Sequence, residues 1–123
     1  MAGDFDDKEA TGILELPVEI LAQLRAKPSS LEMVSGPGAP RTVPLDKDKL
    51  VFGRSSQTDV QIDSLDLSRR HFALSKSENE WLCEDLDSRN GVFLNGLRIH
   101  SAVLRDGDHI QLGRVVFVFH KGR

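Results

Sequence analysis

From residue 31 onward the apolar positions fall in short runs, each closed within a few residues by glycine, proline, asparagine or aspartate. Alternation with a period of two is the pattern of a half-buried strand, whereas a helix spaces its apolar residues three and four apart. The chain predicts ten short strands, at residues 31–35, 42–45, 50–53, 60–62, 71–75, 80–85, 92–94, 97–99, 109–112 and 115–120. Many short strands divided by turn signals point to an all-β sandwich or barrel. In the last run Val116 and Val118 alternate with Phe117 and Phe119, so both faces are apolar and the strand belongs inside a sheet. Asn95-Gly96 lies between VFL and LRI and predicts a two-residue hairpin, because such a loop needs positive φ at both positions. Asp106-Gly107 and Gly113 mark further turns.

The pattern before residue 31 is different. Residues 1–12 are acidic and poor in apolar side chains, which predicts a flexible tail. Over residues 14–26, Leu14, Val18 and Leu21, and also Pro17, Ile20 and Leu24, recur at helical spacing, and Pro17 suits a first helical turn. A short amphipathic helix is expected there. Lys27, Pro28, Ser29 and Ser30 read as a linker, since proline stops a helix and disfavours helical geometry at the residue before it. The expected organisation is a tail, helix and linker at 1–30 and a β domain at 31–123.

Composition narrows the function classes. A chain of 123 residues is one domain, large enough to bury a core without disulfides or metals. Its net charge of -3 lacks the basic footprint of a protein that binds nucleic acid or anionic lipid. Cys83 is the only cysteine and lies in an apolar strand pattern, so a buried, reduced thiol is expected and no internal disulfide can form. The amino-terminal residues lack the basic start and apolar run of a signal peptide, and no stretch approaches ~20 apolar residues. The expectation is a cytoplasmic protein without membrane insertion.

The chemistry sits in three segments: Gly53-Arg54, LSRRH at Leu67 to His71, and DLDSRNGVFLNG at Asp85 to Gly96. They place Arg54, Ser68, Arg69, Arg70, Arg89 and Asn90 in loops between strands. Arginine offers a rigid fork of donors that matches phosphate, and hydroxyl and amide groups complete the oxygen shell with shorter bonds. This cluster is basic although the whole chain is acidic, and crowded like charges favour a bound anion. Gly53, Gly91 and Gly96 read as backbone devices.

The three segments, in this order and spacing, resemble the forkhead-associated (FHA) domain, a phosphothreonine-binding module, over about residues 31–120. The resemblance implies an FHA-type β-sandwich of about ten or eleven short strands. It implies that Arg54 binds phosphate oxygens, that Ser68 supplies a hydroxyl to the phosphate, and that Asn90 bonds the backbone of the bound peptide. Arg69 takes a position from which family members contact the peptide. His71 takes a structural role, bracing the loop that presents Ser68, with Gly53 and Gly91 as further support. Arg89 departs from the pattern, since the family most often has threonine there. Threonine is expected over serine in the ligand, because family members bury its methyl group between the loops, worth ~1 kcal/mol by transfer.

The resemblance further implies a phosphothreonine-containing partner, either a Ser/Thr kinase or its substrate, with no cofactor, no metal and no nucleic acid. Some members carry a phosphorylatable threonine ahead of the domain that folds back into its own phosphate site. Thr11 is the candidate here, although the double-threonine motif of those members is missing. Two other readings stand beside this one. Ser68, His71 and Asp85 or Asp87 supply the residue types of a hydrolase triad, but the serine lacks a Gly-x-Ser-x-Gly elbow, so no enzyme is expected. A structural or assembly module with the same fold could ignore phosphate altogether.

Overall fold

The computed structural model describes residues 16–25 and 27–123. Thr11, the acidic tail and the ends of the expected helix at residues 14, 15 and 26 lie outside them. Helix α1 spans Val18–Arg25, starting later than the apolar spacing suggests. Pro17 sets the boundary: it restricts Leu16 to extended geometry, and its carbonyl accepts the N–H groups of Ile20 and Leu21, both at 3.0 Å. Proline thus precedes the first turn here and does not occupy it.

Eleven strands follow: β1 (Ser30–Ser35), β2 (Arg41–Pro44), β3 (Lys49–Gly53), β4 (Val60–Gln61), β5 (Phe72–Ser77), β6 (Glu80–Asp85), β7 (Val92–Leu94), β8 (Leu97–Ile99), β9 (Ser101–Val103), β10 (His109–Leu112) and β11 (Val115–His120). Ten are the expected strands, with shifts of a residue or two at the ends. The addition is β9, too short to show an alternation of its own. It starts two residues after β8 ends, and at His100 the chain passes from one sheet to the other.

One sheet has the order β2-β1-β11-β10-β7-β8 and the other β4-β3-β5-β6-β9. The β11 strand lies inside the first sheet, as its two apolar faces require. Val115, Phe117 and Phe119 are buried and Val116 and Val118 are half-buried. Asn95 and Gly96 take φ of 49° and 88° and close the β7–β8 hairpin. Gly107 and Gly113 also have positive φ, as turns at those points demand.

The core lies between the sheets. Phe52 and Phe72 stack with centroids 4.5 Å apart, and Phe117 of the opposite sheet meets both edge-on at 6.0 and 6.2 Å. Such pairs add about 0.5–1.5 kcal/mol each beyond burial. Both β3 and β5 end in this aromatic cluster, so the loops leaving Gly53 and entering Phe72 start from a fixed base. Cys83 is fully buried and its thiol is pushed up to about 12, chiefly by burial. Residues 27–29 run against the last residues of the chain: Arg123 N–H donates to the Lys27 carbonyl at 2.9 Å and Gly122 N–H to Ser29 Oγ at 2.8 Å.

Candidate functional site

Three loops meet at one end of the sandwich, following β3, β4 and β6. The segment from Ser68 to His71 runs against the end of β3, with Arg54 N–H donating to the Ser68 carbonyl at 3.0 Å and His71 N–H to the Phe52 carbonyl at 2.8 Å. Gly53 makes this approach practicable. A Cβ on it would stand 2.1 Å from the carbonyl oxygen of Arg69, closer than any real contact.

His71 is fully buried between the loops. Its Nδ1 accepts the backbone N–H of Ser68 at 3.0 Å, and a backbone N–H can only donate, so this nitrogen carries no proton. The ring is therefore the neutral form with Nε2–H donating to the Gly91 carbonyl at 2.9 Å. Burial holds its pKa below the usual histidine value. Both nitrogens are committed to backbone groups, and neither reaches the Ser68 hydroxyl. The triad reading fails on this geometry.

The β6–β7 loop is shaped by its own side chains. Asp85 Oδ1 accepts the Ser88 N–H at 3.1 Å, and the Ser88 hydroxyl accepts the Gly91 N–H at 3.0 Å. Asp87 and Gly91 take φ of 61° and 82°, turning the chain so that Arg89 and Asn90 face the β4–β5 loop. Arg89 N–H then donates to Ser68 Oγ at 2.9 Å and Asn90 Nδ2 to the Asp66 carbonyl at 2.7 Å.

Arg54, Leu67, Ser68, Arg89 and Asn90, together with Leu65 and Asp66, line a cleft of about 310 Å³. Arg54 Nε donates to the Leu67 carbonyl at 3.2 Å, which fixes the plane of the guanidinium and leaves its two Nη groups for a ligand. Ser68 Oγ already accepts from Arg89, so its hydroxyl hydrogen is available to donate outward. The cleft thus offers cationic and hydroxyl donors to one anion. Arg69 and Arg70 are not in it: they line a separate hollow with Ser55, Gln57, Thr58 and Asp59.

Sequence reasoning missed Asp66 and Ser88. The Asp66 carboxylate takes three bonds from Arg114 in the β10–β11 turn: from its backbone N–H at 2.9 Å, from Nε at 2.9 Å and from Nη2 at 3.1 Å. These bonds hold its pKa down at about 2. An aspartate in SLDLS carries no local sign of a partner 48 residues away. Ser88 could have been noticed as an Asp-x-x-Ser loop pattern, in which a carboxylate accepts a bond from a nearby backbone N–H.

A family model described as the FHA domain matches residues 50–113, the stretch that carries all three loops. The chain belongs to the FHA domain family. It is 34% identical over 122 residues to the oxoglutarate dehydrogenase inhibitor of Corynebacterium efficiens, covering 99% of this chain and 80% of that one. It is 36% identical over 87 residues to the glycogen accumulation regulator GarA of Mycobacterium tuberculosis, covering 71% of this chain and 54% of that one. The chain thus spans about half the length of the second relative.

Among solved structures, EmbR of Mycobacterium tuberculosis in complex with a low-affinity phosphopeptide matches this FHA domain with a TM-score of 0.72 and 29% identity. That match covers 77% of this chain and 24% of EmbR. The FhaA FHA domain complexed with the intracellular domain of Rv3910 matches with a TM-score of 0.69 and 27% identity, covering 75% of this chain and 99% of that one. FHA domains are phosphopeptide-binding modules, and this chain has their fold and sequence pattern. Among the described residues no group of three His, Cys, Asp or Glu side chains is arranged to hold a metal, and no helix is long and apolar enough to cross a membrane.

Proposed function

We propose that this FHA domain captures a phosphothreonine on a partner protein within Ser/Thr kinase signalling and does no chemistry on it. The observation that carries the reading is the pairing of Arg54 and Ser68 in one cleft, each held by a hydrogen bond that leaves its remaining donors unused. A phosphothreonine brings about -1.5 to -2 charges at pH 7 and three acceptor oxygens. The free Nη groups of Arg54 and the hydroxyl hydrogen of Ser68 bond those oxygens. Arg89 adds positive charge at the rim, and the unused Asn90 Oδ1 and second amide hydrogen engage the peptide backbone.

Arg69 acts on a more distant part of the peptide or not at all, because it lines the neighbouring hollow. The names of the relatives support a regulatory role: one is an inhibitor and the other a regulator. The partner is a phosphorylated kinase or a kinase substrate, met in the cytoplasm. Calorimetry with a phosphothreonine peptide, before and after phosphatase treatment, tests the proposal. Binding that vanishes with the phosphate supports it, while equal affinity for both peptides means a phospho-independent assembly module.

A further inference from the structure

The end of the sandwich opposite the phosphate cleft holds a second and larger cleft, of about 410 Å³. It lies between residues 27–29, the β5–β6 hairpin and residues 121–123. Lys27, Lys76, Lys121 and Arg123 stand around it, all exposed, and among the described residues no carboxylate side chain lines it. The three ion pairs among the described residues, Lys47–Asp59, Arg114–Asp66 and His120–Glu32, use none of these four cations. Four positive charges around one cleft, none in an ion pair with another described residue, favour the entry of an anion.

The backbone that carries them is fixed. Arg123 N–H bonds the Lys27 carbonyl at 2.9 Å, Lys76 N–H bonds the Asp48 carbonyl at 2.8 Å, and Lys121 N–H bonds Asp106 Oδ1 at 2.8 Å. Gly122 packs so tightly that a Cβ would stand 2.2 Å from the Lys27 carbonyl oxygen. Only side-chain freedom is lost when an anion enters, so the cleft is prepared in the sense that lowers the cost of binding. The acidic side chains beside it, Glu78 and Glu80 of the hairpin and Asp106, whose Oδ1 accepts the Lys121 N–H, do not line it.

We propose that this cleft is a second binding site and that its ligand is an acidic peptide segment of a partner, bearing several carboxylates. The chemistry selects this class over others. Three of the four cations are lysines, point charges without the planar fork that favours phosphate. Trp81 lies on the floor but is only 4% exposed, so it offers no face on which a nucleic-acid base could stack. Exposed ion pairs are individually weak, so a ligand must engage several cations at once, as a run of carboxylates does. With the phosphate cleft at the other end, one domain holds a phosphothreonine segment and an acidic segment at the same time.

Trp81 is the only tryptophan of the chain and reports on this cleft by its fluorescence. A hexaglutamate peptide blocked at both ends is titrated into the full chain at low ionic strength. The expected result is a saturable change in Trp81 emission, at least tenfold weaker in K76E/K121E, which keeps its phosphothreonine-peptide affinity within twofold. Arg54→Ala is expected to leave hexaglutamate binding in place while losing the phosphopeptide. If K76E/K121E melts lower than the parent, K27Q/R123Q replaces it in the same comparison. The proposal is overturned by an absence of saturable binding up to millimolar peptide, by unchanged affinity in the cleft variants, or by loss of hexaglutamate binding in Arg54→Ala.

Discussion

The backbone N–H of Arg89 donates to the hydroxyl oxygen of Ser68 at 2.9 Å, tying the β6–β7 loop to the β4–β5 loop across the mouth of the cleft that Arg54 and Ser68 line. A hydroxyl that accepts from within the protein keeps its own hydrogen for a ligand. The bond thus orients Ser68 as a donor, and the two loops present their groups as one surface.

Removing either grip should abolish useful phosphopeptide affinity without unfolding the domain. Arg54→Ala or Ser68→Ala takes one partner from a desolvated charge-assisted contact, a loss of about 2 to 5 kcal/mol. Calorimetry against a phosphothreonine peptide is expected to show it with the CD spectrum unchanged. Parent-like affinity in Arg54→Ala would remove the model.

His71→Ala is expected to behave differently, because it orphans the Ser68 N–H and the Gly91 carbonyl inside the protein and leaves a cavity. Stability should fall by about 3 kcal/mol, a drop in Tm on the order of 10 °C or more. In the parent, the depressed pKa of His71 means that the unfolded chain takes up its proton first as pH falls. The stability from the neutral ring is complete above about pH 6.5 and declines below it until the folded pKa is passed. Thermal melts from pH 7.5 to 5 should show a decline that His71→Ala lacks, and parallel curves would discard this account.

Asp66 titrates at the other extreme. Its folded pKa of about 2 lies under the ordinary 3.8, so its contribution is present above pH 3.8 and is lost as pH falls towards 2. The Tm difference between the parent and Asp66→Asn is expected to be steady from pH 7 to pH 5 and to shrink below pH 4. A difference that persists at pH 2 would mean that Arg114 binds the neutral group as well.

Arg89→Thr restores the residue the family most often carries and removes one charge at the rim. Phosphopeptide affinity should fall and depend less on salt, since a screened charge–charge attraction has gone. Unchanged affinity and slope across 50 to 300 mM NaCl would show Arg89 contributing through its backbone N–H alone.

Gly53→Ala needs no ligand to test. A Cβ 2.1 Å from the Arg69 carbonyl cannot be accommodated unless β3 and the Ser68 to His71 segment move apart. The expected cost is about 3 kcal/mol or more, with phosphopeptide binding lost alongside. A variant that melts like the parent would contradict the close approach.

The strands could be read in advance because alternation and turn residues are local signals, and ten of the eleven left such a mark. The β9 strand, Ser101–Val103, could not, since its three residues gain strand geometry only by pairing with Leu82, Cys83 and Glu84. The same split runs through the site. Arg54, Ser68 and Asn90 stood out by residue type and spacing, while Asp66 works through Arg114, which is distant in the chain. Residue type also grouped Arg69 with Arg54, yet the β3 end takes the Arg69 backbone and leaves its side chain lining the next hollow. The helix start departs from the apolar spacing for a local reason: Pro17 fits the repeat by residue type, yet its ring places it before the first turn, which opens at Val18.

Each sheet ends in short strands: β2 and β8 border one, with four and three residues, and β4 and β9 the other, with two and three. Such borders expose too few unpaired backbone groups to template another chain. A partner that adds a strand of its own to either sheet gains few hydrogen bonds. Side chains on loops and hairpin ends are what remains for recognition. Mutations there can change whom the domain binds while the sandwich beneath stays as it is.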